Sequence, residues 1–203
     1  MEFETRVKIL KKLKYIDENN IITLKGKASR EIGTTDCVLV SELLVSDVFE
    51  KISESEILSF ICGFCSNKNE IDFTLTDKIS SEFDAAKLKF ENIYNKIISI
   101  EKEFDFEDNK YDRRITFSIS KAMKSWMDGK SFSYILKETE LEEGKLYNFI
   151  MRIYLFLEEI INFYGILGNK NMSEKFEKIK KKLLRGIMSK QSLYLEEDIK
   201  VKI

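Results

Sequence analysis

The sequence predicts a mostly α-helical protein, an irregular helical bundle around one long central helix. None of its 203 residues is proline, the residue that most strongly interrupts helices. Between Gly144 and Gly168 lies a segment rich in apolar and aromatic residues, GKLYNFIMRIYLFLEEIINFYGILG. As a helix it would extend roughly 35 Å, about the diameter of a small domain. We therefore expect this segment to run through the middle of the bundle.

The N-terminal part of the chain predicts a small unit of one helix and a short β-hairpin. Apolar residues recur at helical spacing over 3–15, and a polar turn follows at 17–20. The β-prone run at 21–24 then predicts a second strand that ends near Gly26. A helix followed by a hairpin is the order of elements found at the end of a winged helix.

Further helices are predicted from capping residues and from apolar spacing. Polar stretches at 66–73 and 105–114 predict the breaks between them. The predicted helices run from one of Thr34, Thr35 and Asp36 to about Glu50, from Ser53 to about Cys65, from Thr76 or Asp77 to Phe104, over 115–127, from Ser131 to about Lys137, and from Asn171 or Ser173 to about Leu195.

The 144–168 segment also carries a narrow polar stripe. Winding it at 100° per residue leaves most of its circumference apolar and gathers the polar side chains on one side. The stripe consists of Lys145, Asn148, Arg152, Glu158, Glu159 and Asn162, with Met151 and Leu155 among them. Such a helix is typical of a position beside a wet cavity or channel, so the stripe is the candidate functional surface.

Composition excludes several classes of site. The chain has no histidine, which removes the commonest general base and metal ligand. Its formal net charge is −1, so a nucleic-acid site would have to be local. The N-terminus lacks the apolar core of a signal peptide, and Arg152, Glu158 and Glu159 would be costly in a bilayer. An intracellular protein without a membrane partner is expected.

Two motifs that resemble chemical sites are better explained as structure. Cys62 and Cys65 have the CxxC spacing, but only Cys37 could join them in a chain without histidine, too few ligands for zinc. The 129–131 sequence, Gly-Lys-Ser, lacks the earlier glycine of a phosphate-binding loop, where Lys124 stands. We therefore predict two small buried thiols, and a helix end followed by a helix N-cap.

A basic run lies in the last predicted helix. It comprises Lys178, Lys180, Lys181, Lys182 and Arg185. A solvated face near a helix C-terminus is the preferred interpretation. A patch that contacts phosphates is the alternative.

Four segments match one family in order and with similar spacing. They are LKKLKYIDENNIITLKGKASREI, TTDCVLVSELLVSDVFEKIS, SWMDGKSFSYILKETELEEG and ILGNKNMSEKFEKIKKKLLRGIMSKQSLYL. Positions that match the family patterns include Tyr15, Gly26, Glu42, Trp126, Gly129, Gly144, Gly168, Asn169, Arg185 and Tyr194. Together these segments resemble the C-terminal domain, called DSHCT, of Ski-type DExH-box RNA helicases that feed RNA to the exosome.

The resemblance implies both a fold and a role. In that family a helical bundle follows a winged helix and packs on two RecA-like ATPase domains. Residues 1–33 would then be a winged-helix remnant and residues 34–203 the ratchet-type bundle. The family's central helix lines the RNA channel, which implies RNA-binding residues at Asn148, Arg152, Leu155 and Glu159.

This chain departs from the family pattern on the central helix. The family's paired arginines fall on Met151 and Arg152, and its glutamate falls on Leu155. The alternative function is therefore a helical protein-interaction module that no longer contacts RNA.

No catalytic residue is predicted in this chain, because it has neither a Walker A nor a DExH motif. No cofactor or metal is expected in it, and ATP and Mg²⁺ would act only through RecA-like motor domains. The resemblance implies three partners: a RecA-like helicase core in the same or a separate chain, RNA, and exosome-associated proteins. It favours a nuclear over a cytoplasmic location.

Overall fold

A computed structural model describes residues 2–65, 71–72, 78–106 and 115–185. In these ranges the prediction of a mostly helical fold is confirmed. The helices are α1 Glu2–Lys12, α2 Leu24–Ser29, α3 Cys37–Val45, α4 Glu54–Ile61, α5 Ser81–Glu103, α6 Ser120–Met127, α7 Phe132–Thr139, α8 Glu143–Leu167 and α9 Lys170–Leu183, with a 3₁₀ turn at Cys62–Cys65. Two short strands, β1 Ile71–Asp72 and β2 Ile115–Thr116, pair in parallel.

Side-chain caps fix several of the helix starts. Asp36 accepts hydrogen bonds from the backbone N–H groups of Val38 and Leu39 at the start of α3. Ser53 and Glu56 form a capping box at the start of α4. These contacts satisfy backbone donors that have no partner inside the helix. Gly168 ends α8 in the left-handed region, at φ 71°, which a glycine adopts without a steric penalty.

The predicted second strand of the N-terminal hairpin is wrong beyond residue 22. An isolated antiparallel bridge joins Ile16 to Ile22, but Leu24–Ser29 form helix α2. The reason is local, since Thr23 caps α2 by accepting a hydrogen bond from the N–H of Gly26 at 3.1 Å. Gly26 also lies against the carbonyl of Tyr15, where a Cβ atom would collide.

Other element ends differ from the predicted ones. Helix α3 ends at Val45 rather than near Glu50, and α5 begins after its N-cap Ser80. Residues 115–116 form strand β2 instead of the start of a helix, in keeping with two buried β-branched side chains. Helix α9 ends at Leu183, short of the predicted end, and the residues beyond 185 lie outside the described part.

The main core surrounds α8, which packs against α9, α2 and the 3₁₀ turn. Buried aromatic rings fill the space beside it, and the ring of Phe60 contacts the rings of five other phenylalanines, which include Phe64. Helix α2 contributes the fully buried Ala28 to this core. A second, smaller cluster of Ile9, Leu13, Tyr15 and Ile100 joins α1 to α5.

The polar stripe of helix α8

The stripe of α8 is partly open to solvent in the structure. Asn148 and Glu158 are exposed, and Leu155 is 53% exposed although it is a large apolar residue. Arg152 and Glu159 are half-buried. The opposite side of the helix buries nine residues, which include Ile150, Ile153 and Leu157. The four predicted site residues therefore lie on one side of α8 but in different surroundings.

The carboxylate of Glu159 is bound to the segment that precedes α3. Its Oε2 accepts hydrogen bonds from the N–H groups of Gly33 and Thr34, both at 3.1 Å. Its Oε1 accepts a hydrogen bond from the Thr34 hydroxyl at 2.8 Å. Both oxygens are thus engaged within the protein, and Glu159 ties residues 33–34 to α8.

Arg152 lies near a buried thiol. Burial raises the pKa of Cys65 well above its ordinary value, while the charge of Arg152 lowers that pKa and the charge of Glu159 raises it. Because its side chain is half-buried, the charge of Arg152 acts on a group inside the protein. Arg152 is therefore a half-buried cation rather than a fully solvated one.

Within the described residues, the CxxC pair has no disulfide or metal partner. Cys62 and Cys65 are buried and free of any disulfide. Burial raises the pKa of Cys62 to about 12, which keeps the thiol protonated and unreactive near neutral pH. Within the described ranges, no group of three or more histidine, cysteine, aspartate or glutamate side chains could hold a metal ion.

The Gly-Lys-Ser sequence has the predicted structural role. Gly129 follows α6 with φ 100°, and Ser131 caps α7 by accepting a hydrogen bond from the N–H of Tyr134 at 3.2 Å.

Much of the basic run, which extends from α9 to Arg185 beyond the end of that helix, is used inside the fold. Lys180 lies 4.4 Å from the ring centre of Tyr154 and 3.4 Å from the carboxylate of Glu158. Lys182 pairs with Glu54. The guanidinium of Arg185 covers the ring of Trp126 at 3.9 Å and donates hydrogen bonds to the carbonyls of Trp126 and Lys130. These three cations stabilise contacts between helices.

A groove of about 410 Å³ lies between α8 and α9, beside the stripe. The α8 wall carries Tyr154, Glu158 and Asn162, and the α9 wall carries Glu177, Lys180 and Lys181. Reasoning from single helices could not find it, because each wall contributes half of the polar groups. We call it the α8–α9 groove.

Along the described residues, no helix is long and apolar enough to cross a membrane. This agrees with the sequence, where charged groups interrupt the longest apolar segment.

Comparison with known proteins gives one family and several relatives. The family model described as the DSHCT (NUC185) domain matches residues 19–191. mRNA transport homolog 4 of Caenorhabditis elegans is 25% identical over 196 residues, 96% of this chain and 19% of the relative. DExH-box ATP-dependent RNA helicase DExH10 of Arabidopsis thaliana is 26% identical over 198 residues, 96% of this chain and 20% of the relative. Exosome RNA helicase MTR4 of Homo sapiens is 22% identical over 195 residues, 96% of this chain and 18% of the relative. The chain spans about a fifth of the length of these curated relatives.

Proposed function

Because the chain belongs to the DSHCT domain family, we propose that it serves as a non-catalytic domain of an ATP-dependent RNA helicase. In this role it packs on a RecA-like motor and lines the RNA channel with the stripe of α8. The family match over residues 19–191 carries the proposal. ATP and Mg²⁺ act only through the motor, and the name of one relative, an exosome RNA helicase, supports a link to exosome-associated proteins.

The stripe offers RNA two kinds of donor and one apolar contact. Asn148 presents an exposed amide, and Arg152 presents a guanidinium whose planar geometry suits a phosphate. Leu155, about one turn beyond Arg152 on the same side of α8, is exposed and offers an apolar surface to a sugar or a base. Glu159 serves the site indirectly, since its three hydrogen bonds hold residues 33–34 against the helix.

Residues 1–33 act in this proposal as the end of a winged helix, joined to the bundle of residues 34–203. The contacts across this boundary support a fixed arrangement. Lys25 pairs with Glu42 and donates a hydrogen bond to the carbonyl of Leu13 at 2.9 Å. The hydroxyl of Tyr15 donates to the same Glu42 carboxylate at 2.9 Å.

The proposal is tested in a chimera in which this chain replaces the matching 195-residue segment of the human relative. Replacing Arg152 by Ala should raise the RNA concentration for half-maximal stimulation of ATP hydrolysis about tenfold, the effect of losing one charge-assisted hydrogen bond. Lys178→Ala, on an exposed face of α9, is the matched control and should change that RNA concentration less than twofold. Equal activity of the Arg152→Ala chimera and its parent at low and high salt would contradict RNA contact by the stripe.

A second function, a protein-interaction module, is favoured by one observation. Leu155 is 53% exposed, beside the half-buried Met151, so the stripe carries apolar surface that a partner protein could cover. In the same chimera, Leu155→Asp should then lower ATP hydrolysis with and without RNA, because the domain no longer packs on its motor. Arg152→Ala would have no effect in that case, which separates the two functions.

A further inference from the structure

The α8–α9 groove is lined by apolar side chains and by polar groups of both charge signs. Ile161 and Leu184 contribute its apolar surface, and Tyr154 adds an aromatic ring. Its volume of about 410 Å³ lies in the range of small-ligand sites, roughly 300–1,000 Å³. A single nucleotide is of suitable size for such a space.

The polar groups of the groove fall into two sets. Lys180 is engaged by Glu158 at 3.4 Å and by the ring of Tyr154. Asn162, Glu177 and Lys181 form no hydrogen bond or ion pair with other residues of the described part. Among the described residues, an amide, a carboxylate and an ammonium therefore line the groove without partners.

This combination matches the chemistry of a nucleotide better than that of a simple anion. A lysine ammonium attracts a phosphate, whereas a carboxylate repels it. A carboxylate does accept hydrogen bonds from the exocyclic amino group of a base such as cytosine. Asn162 can donate to a base and accept from it. Glu177 and Lys181 lie one turn apart on α9, and Asn162 lies on the α8 wall, so neighbouring groups can contact a phosphate and its base.

We propose that the α8–α9 groove binds one nucleotide of single-stranded RNA, with Lys181 at the phosphate and Glu177 and Asn162 at a base that carries an amino group. The inference rests on the proposed function, because the groove borders the stripe through Glu158 and Asn162 of α8. It adds to that function a second contact surface and a preference for cytosine over uracil.

The test measures binding of the full 203-residue chain to fluorescent ten-nucleotide oligo-C and oligo-U by anisotropy. Lys181→Gln should weaken oligo-C binding about fivefold and reduce the slope of log affinity against log salt by about 0.7, the value for one phosphate contact on a single strand. Lys178→Gln is the matched control, a lysine of the same helix outside the groove, and should change affinity less than twofold.

The carboxylate is tested in the same assay. The parent chain should bind oligo-C about fivefold more tightly than oligo-U, and Glu177→Ala should abolish that preference. Glu174→Ala, also on α9 but outside the groove, should preserve it. Circular dichroism of each variant verifies that these exposed substitutions leave the fold intact.

Each other outcome overturns the groove proposal. Equal losses in Lys181→Gln and Lys178→Gln would show contact with the whole basic face rather than with the groove. No binding by the parent chain, or no preference between the oligonucleotides, would also exclude it. The proposed function is judged separately, by the ATP hydrolysis of the Arg152→Ala chimera, so either idea can fail without the other.

Discussion

The two oxygens of the Glu159 carboxylate are both occupied by residues 33–34, although the residue lies in a stripe that suggests contact with a ligand. Asn148, about three turns away on the same side of the helix, is exposed. The same helical periodicity thus brings together residues with different tasks. At the scale of the residue, the environment of each side chain decides whether it serves the fold or a partner.

Glu159→Ala is expected to lower the free energy of unfolding by about 2 kcal/mol. The substitution removes three hydrogen bonds to a charged acceptor and leaves two backbone N–H groups without this carboxylate acceptor. Urea unfolding measures the loss, and amide hydrogen exchange should show faster exchange at Gly33 and Thr34. Glu158→Ala, at the neighbouring position, breaks one ion pair with Lys180 at 3.4 Å, in which the Glu158 side chain is 53% exposed, and should cost less than about 1 kcal/mol. Equal effects of the two variants would contradict the anchoring role of Glu159.

At the scale of the element, a helix and its first residue are predictable from the sequence where the information is local, as in a capping residue. Ser53 and Ser131 are predictable as caps, and Asp36 is one of three candidates, because a short polar side chain before an apolar run carries that information in sequence. The segment 21–24 misled because its β-branched residues favour a strand, whereas α2 is stabilised by the cap at Thr23 and by packing on α8. The α8–α9 groove could not be predicted, since it depends on how two helices pack.

Gly26 in α2 and Gly165 in α8 give a matched pair of helical glycines. A Cβ atom on Gly26 would collide with the carbonyl of Tyr15 and with Ile22, so Gly26→Ala should destabilise the protein by about 1–3 kcal/mol. Gly165 has nothing within 4 Å of the position of a Cβ, so Gly165→Ala should stabilise by up to about 1 kcal/mol through helix propensity. Thermal unfolding of the two variants checks both signs. Stabilisation by Gly26→Ala would contradict the close approach of Gly26 to the carbonyl of Tyr15.

At the scale of the whole molecule, the residues that resemble the family also join distant parts of this chain. Arg185 covers Trp126, and Tyr15 bonds to Glu42. Because such contacts hold the fold together, the family match identifies the fold more firmly than it identifies a functional site on α8. On the central helix Arg152 keeps one of the family's paired arginines, whereas Met151 and Leu155 depart from the family pattern.

The contacts around Glu42 lead us to expect that residues 1–33 and the bundle unfold as one cooperative unit. Glu42→Ala removes an acceptor shared by Lys25 and Tyr15, and it should lower stability by about 2–3 kcal/mol because both partners lose a half-buried charged contact. The only tryptophan, Trp126 in α6, reports on the bundle by its fluorescence. In the Glu42→Ala variant, the urea midpoint of the Trp126 fluorescence should fall together with the free energy of opening that amide exchange measures at Ala28 in α2. The opposite result would be fast amide exchange in α2 while the Trp126 midpoint stays at its parent value. It would show that residues 1–33 unfold independently of the bundle, and that the proposed boundary at residue 33 separates two units of different stability.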